Sequence, residues 1–124
     1  MPQYQARCHC GAVHVEIKKT KPIDKMIDCN CSICQKKGVL NVAVEISEFR
    51  LVQGDDVIND YQFGSGDAHH KFCAQCGIHV FGRPRNNPGR YIVNARCLDD
   101  FDAVLETAFI IKFDGQNHPK DRDT

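Results

Sequence analysis

A chain of 124 residues, 42% hydrophobic and 26% charged, has the size and composition of one globular domain, long enough to bury a real core without leaning on metal merely for being short. Its 16 basic and 16 acidic residues cancel, which argues against a nucleic-acid partner or a charged membrane surface. The longest apolar run, Ala108 to Ile111, is far too short to span a bilayer, and Met1 to Arg7 lacks the apolar stretch of a secretory signal, so a cytoplasmic protein is predicted.

Taken in chain order, most segments carry the two-residue alternation of half-buried strands. Val13, Val15 and Ile17 alternate with His14, Glu16 and Lys18, and Val42, Val44 and Ile46 alternate with Ala43, Glu45 and Ser47. Shorter strand-like runs follow at Phe49 to Val52, Val57 to Phe63, Ala68 to Phe72, Ile78 to Gly82, Tyr91 to Ala95 and Leu105 to Phe113. Turn chemistry separates them at Gly54-Asp55-Asp56, at Phe63 to Asp67 and at Arg83 to Gly89. One short helix is predicted from about Ser32 to Lys37. Seven or eight short strands with frequent turns predict a mainly β, antiparallel fold. A single zinc-binding β domain over residues 1–113 and a polar, fraying tail over 114–124 are expected.

Seven of the eight cysteines fall into three groups: Cys8-His9-Cys10-Gly11, Cys29-Asn30-Cys31-Ser32-Ile33-Cys34 and Cys73-Ala74-Gln75-Cys76-Gly77. Cys97 stands alone. A disulfide framework is disfavoured by the missing signal peptide and by a cysteine fraction below that of disulfide scaffolds. Cys73 and Cys76 form the chelating turn of a zinc ribbon, whose backbone N–H groups can donate to the sulfurs, with Gly77 letting the chain bend away at positive φ. On an extended segment Cys8 and Cys10 leave the same face, and Gly11 allows close backbone approach. These two pairs make one tetrahedral four-sulfur site suited to Zn²⁺. A thioredoxin-like reading of the C-x-x-C would need a βαβ setting, which the strand-rich pattern lacks.

Cys29, Cys31 and Cys34 combine both spacings within six residues, and all three can converge on one ion. Three protein ligands and a vacant position are the build of catalytic zinc sites, whereas structural sites are closed. A fourth protein ligand would close this one. The candidates are Cys97, His69, His70, His79 and His118. His69 and His70, adjacent in a strand, point to opposite faces, so at most one of them can serve, and Cys97 reads most simply as a small buried apolar side chain.

In these motifs the sequence resembles the glutathione-dependent formaldehyde-activating enzyme family, which also includes centromere protein V-like proteins. The shared pattern is C-x-C-G, then C-x-C-x-x-C, then C-x-x-C-G, with Phe72 before the last motif and Cys97-Leu98-Asp99-Asp100 after it. The resemblance covers roughly residues 6 to 100. It implies an Mss4-like fold of antiparallel β-sheets with a zinc-ribbon element and at most one or two short helices. It also implies two zinc ions per chain: a structural one on Cys8, Cys10, Cys73 and Cys76, and a catalytic one on Cys29, Cys31 and Cys34. The implied activity is carbon–sulfur lyase chemistry, the joining of glutathione and formaldehyde to S-hydroxymethylglutathione, so a small thiol and an aldehyde are the implied partners. Many members carry His and Arg where this chain has Asn30 and Gln35. Losing the Arg removes a planar carboxylate binder, for which Lys36 and Lys37 are point-charge substitutes. An aromatic often lies in the family's C-terminal region, and Phe109 and Phe113 are expected to fill that space as core residues.

Two functions follow. One is a zinc-dependent lyase acting on a thiol adduct; the other is a protein-interaction module in which both zincs are structural, since fold alone does not fix function. Both share the closed site, where bound zinc is folding free energy on the order of 10 kcal/mol. Exhaustive chelation is therefore expected to lower the thermal midpoint steeply or to aggregate the protein. A melt that chelation leaves unchanged would rule the closed site out.

Overall fold

The computed structural model describes residues 2–64, 66–84 and 89–117. Ten strands occur among them: β1 (Gln3–Arg7), β2 (His14–Lys18), β3 (Lys25–Cys29), β4 (Asn41–Glu45), β5 (Phe49–Gln53), β6 (Ile58–Tyr61), β7 (His69–Cys73), β8 (His79–Arg83), β9 (Arg90–Asn94) and β10 (Phe109–Phe113). The helices are α1 (Ser32–Lys37) and α2 (Phe101–Thr107), with short 3₁₀ turns between strands. A three-stranded sheet, β1-β2-β5, faces a seven-stranded sheet of order β10-β3-β4-β9-β8-β7-β6.

Alternation drives this pairing. Val15 and Ile17 on β2, Tyr4 and Ala6 on β1, and Val42 and Val44 on β4 are buried, while their chain neighbours, the buried Asn41 apart, are half-buried or exposed. Their apolar faces meet Met26, Val80, Phe81 and Val93 in one cluster. Phe49 on β5 stacks on Tyr91 of β9 at 3.9 Å between centroids and leans on Phe81 of β8 at 5.0 Å, so aromatic contacts tie the small sheet to the large one.

The predicted strands all recur with ends shifted by one or two residues, apart from the last, and the helix at Ser32–Lys37 forms as read. Cys31 caps it, its Sγ accepting from the Cys34 N–H at 3.4 Å, and Gly38 ends it in the left-handed conformation. The segment Leu105 to Phe113 is not one strand. Phe101, Val104 and Ala108 recur at helical spacing and pack on the core, so the chain runs as α2 to Thr107 and only then as β10. Strands β1 and β3 went unread: β1 shows the alternation only through Tyr4 and Ala6, and β3 buries Met26 alone.

The strand pairs are antiparallel as expected with one exception: β10 pairs parallel to β3, from Phe109 opposite Lys25 to Phe113 opposite Cys29. A parallel pair requires a long crossover, and here most of the chain supplies it. Phe109 is not a core residue as expected. It is 77% exposed on this edge strand, beside the exposed Ile110 and Ile111. Residues 85–88 of the predicted Arg83-to-Gly89 loop, and Ser65 of the loop before β7, lie outside the described residues.

The packing separates two substitutions cleanly. Ile17→Ala, at a side chain with no exposure, should cost about 2–5 kcal/mol by denaturant titration. Phe109→Ala should stay within about 0.5 kcal/mol of the parent.

Candidate metal centres

Two turns build the first centre. The β1–β2 connection carries Cys8 and Cys10, Cys73 ends β7 and the β7–β8 connection carries Cys76; their four Sγ atoms all lie within 4.8 Å of one another. The Cys8–Cys10 and Cys10–Cys73 separations are both 3.6 Å. Four sulfurs held at about 2.3 Å from one ion would sit about 3.8 Å apart, so the donor set fits a tetrahedral Zn²⁺. Backbone N–H groups point at the sulfurs as the turn chemistry requires: Val13 to Cys8 at 3.3 Å and Gln75 to Cys73 at 3.3 Å. Gly11 and Gly77 both take positive φ, 82° and 78°. For Gly11 conformation is the whole reason, because a Cβ there would meet nothing within 4 Å; the close approach expected from sequence is absent.

The charges of these thiols are tied together. Burial pushes Cys76 up, but N–H groups of Cys10 and Ile78 and its sulfur neighbours outweigh it and bring the thiol down to about 6. An Ala12 N–H draws Cys10 down, yet burial and the neighbouring sulfurs prevail and leave it at about 11. Sulfurs this close ionise together only around a cation.

The second centre gathers Cys29 at the end of β3, Cys31 at the cap of α1 and Cys34 in its first turn, again with all Sγ atoms within 4.8 Å. No fourth His, Cys, Asp or Glu among the described residues joins this group. The Cys34 thiol donates to Cys29, and with N–H groups of Cys31 and Gly115 it holds Cys29 down to about 6. The same contact, with burial, drives Cys34 strongly upward. A divalent cation in place of the shared proton would be held by all three sulfurs.

Each candidate fourth ligand among the described residues has another partner. His69 Nδ1 meets Asp60 at 2.7 Å. His70 is buried and stacked on Phe63. His79 is buried, with Nδ1 3.1 Å from Lys37 Nζ. Cys97 lies in a 3₁₀ turn against the His79 carbonyl and the Asn94 amide, where burial pushes its thiol up to about 12. His118 lies outside the described residues.

The surroundings of this centre held features that sequence reading missed. Phe113 accepts from Asn30 N at 3.1 Å, and after it, within the polar tail, a 3₁₀ turn at Gly115–Asn117 packs over the cysteines. A Cβ on Gly115 would come within 2.6 Å of Cys29 Sγ and 2.7 Å of Cys31 Cβ. Gln116 bonds both Asn30 and Gln35, each at 3.1 Å, so the two positions that depart from the resembling family share one partner. Lys36 is exposed, but Lys37 turns inward over Phe72 toward His79, with no carboxylate partner among the described residues. Burial lowers Lys37, opposed by the negative charge of Cys34. Burial, reinforced by Lys37 and His70, lowers His79 to about 3 and keeps it neutral.

Fold and site together define a mainly β protein with one four-cysteine and one three-cysteine centre, each able to hold a metal ion. The sequence model of the glutathione-dependent formaldehyde-activating enzyme family matches residues 3–111, and the chain belongs to that family. A protein of Schizosaccharomyces pombe described as an uncharacterised lyase is 26% identical over 99 residues, covering 77% of this chain and 68% of its own length. The crystal structure of a Rhodobacter sphaeroides protein superposes with a TM-score of 0.76 at 33% identity, covering 86% of this chain and 98% of that one.

The packing of Gly115 makes its own test. Gly115→Ala should lower the metal content from two ions per chain to one, read by elemental analysis, while the four-cysteine centre stays loaded.

Proposed function

We propose that the chain is a zinc-dependent carbon–sulfur lyase that makes or breaks the bond between a small thiol and an aldehyde carbon. The observation that carries this reading is the contrast between the centres, four sulfurs converging in one and three in the other. Family membership and a relative described as a lyase support it. Cys8, Cys10, Cys73 and Cys76 would hold the structural zinc, and Cys29, Cys31 and Cys34 the second. A zinc with a vacant position lowers the pKa of a bound thiol and so supplies the thiolate nucleophile.

The protein's own groups do the remaining work. Gly115 N–H and the N–H groups of the α1 cap hold the Cys29 and Cys31 sulfurs in place, the Asn41 amide holds that of Cys34, and the 3₁₀ turn packs over them. Holding thiol and aldehyde together supplies proximity. In the forward direction the thiolate attacks the carbonyl carbon, the C–S bond forms, the C=O π bond opens and the thiol's proton ends on oxygen. The reverse step returns that proton and releases aldehyde.

Lys37, inward and without a carboxylate partner among the described residues, is the better placed of the two lysines to meet an anionic group on the substrate. Gln35 offers an amide already bonded to Gln116 in place of a guanidinium, so a thiol other than glutathione is favoured as the physiological partner. The exposed Phe109, Ile110 and Ile111 on β10 favour the second reading, an interaction module with two structural zincs.

Cys31→Ser decides between them. On the lyase reading it loses one zinc, keeps a cooperative melt and loses turnover of whichever thiol–formaldehyde adduct the parent turns over. If it unfolds as fully as Cys73→Ser, the second centre is structural and the lyase reading falls.

A further inference from the structure

Among the described residues the buried polar side chains are Asn41, His70, His79 and Asn94, and they are not scattered. Asn41 on β4 pairs in register with Asn94 on β9. The Asn94 amide donates to the His79 carbonyl on β8 at 3.0 Å, and the His79 ring lies 6.1 Å from that of His70 on β7. One polar row therefore crosses four neighbouring strands. It begins at the second centre, where Asn41 Nδ2 donates to Cys34 Sγ at 3.7 Å.

Asn94 shows what a structural asparagine requires in this row. Its Nδ2 serves the His79 carbonyl and its Oδ1 accepts from Arg96 N at 3.1 Å, so both halves of the amide are used. Asn41 is as deeply buried, at 5% exposure, yet its Oδ1 has no partner. Leaving a buried carbonyl oxygen unpaired forfeits the hydrogen bonds it had with water. Nor can the amide turn round to relieve it. A sulfur acting as a metal ligand has no proton to give, so it needs the N–H half of the amide, and Oδ1 is left as a lone acceptor on a side chain that touches Cys34.

We infer that Asn41 receives the hydroxyl of the thiol–aldehyde adduct: Oδ1 accepts the O–H of an R–S–CH₂–OH group whose sulfur lies at the second centre, while Nδ2 holds Cys34. This deepens the lyase reading and rests on it. The ligand class it names is a hydroxyl one or two carbons from sulfur. The adduct oxygen carries the proton that leaves the thiol when the C–S bond forms. An acceptor fixed beside Cys34 orients that O–H without taking the proton, as a neutral amide oxygen should.

The test uses cobalt-exchanged protein and two thiols of similar size, 2-mercaptoethanol and ethanethiol, titrated while the sulfur-to-cobalt absorption is followed. The parent should bind the hydroxyl-bearing thiol about three- to tenfold more tightly, the value of one neutral hydrogen bond. Asn41→Leu should abolish that preference, whereas Asn41→Asp, which keeps an acceptor and loses the N–H, should keep it and shift the absorption band. Turnover by Asn41→Leu should fall about ten- to a hundredfold. Equal affinity for the two thiols in the parent overturns the inference, whatever the variants do, and so does a preference that survives in Asn41→Leu. A preference present in a protein that turns over no adduct would instead overturn the lyase reading and leave the role of Asn41 standing.

Discussion

The mutual repulsion of closely held thiolates is the constraint on which this molecule turns. Cys8 and Cys10 belong to the small sheet, Cys73 and Cys76 to the large one, and their sulfurs meet at separations down to 3.6 Å. Without a cation, such a cluster ionises only in part, which is why Cys10 is raised to about 11 while Cys76 is lowered to about 6. With a divalent cation, the repulsion becomes a cross-link between the sheets, added to the one that Phe49, Phe81 and Tyr91 already make. The core fixes where the turns lie; the metal would fix how closely they approach.

The second centre uses the same donor chemistry for a different end. Its three sulfurs come from one short stretch, the end of β3 and the start of α1, so no distant parts of the chain have to be drawn together. A metal there would do less for the fold. Instead the distant elements bring non-ligand groups: β10 lies parallel to β3 and delivers Gly115 and Gln116, while β4 delivers Asn41. The parallel pairing therefore does more than extend the sheet, since it carries the chain that follows β10 onto Cys29 and Cys31.

What could be read from sequence follows from where each signal resides. The cysteine pairs were legible because chelation depends on spacing along the chain, as did the α1 helix and the alternating strands β2 and β4. Asn41 was not legible, because it is a single polar residue between Val39-Leu40 and Val42-Ala43-Val44, and its significance lies in one contact with Cys34 and one missing contact. Gly115 sits in a polar stretch that carries every mark of a tail; only the 2.6 Å clash of a Cβ with Cys29 gives it meaning. The histidines show the opposite error. Residue type made His69, His70 and His79 candidate ligands, but ion pairing, stacking and burial use them elsewhere.

Electrostatics ties these missed residues to the proposed chemistry. A divalent ion with three thiolates carries one net negative charge, which a partly buried site can hold only with compensation. Lys37 offers it: it follows Cys34 by one helical turn, feels the charge on that sulfur, and has no carboxylate to neutralise it among the described residues. His79, kept neutral by burial, accepts from Lys37 without adding a second positive charge. A charged His79 would repel Lys37 and draw it from the sulfurs, so a neutral imidazole suits this place better than an imidazolium. Lys37 would thus balance a metal held by the second centre, and on the proposed lyase reading an anionic substrate would share that ammonium with the thiolates. Such competition favours a thiol with a neutral, hydrogen-bonding end over one that depends on a carboxylate, in keeping with the amides of Asn30, Gln35 and Gln116 beside the same cysteines.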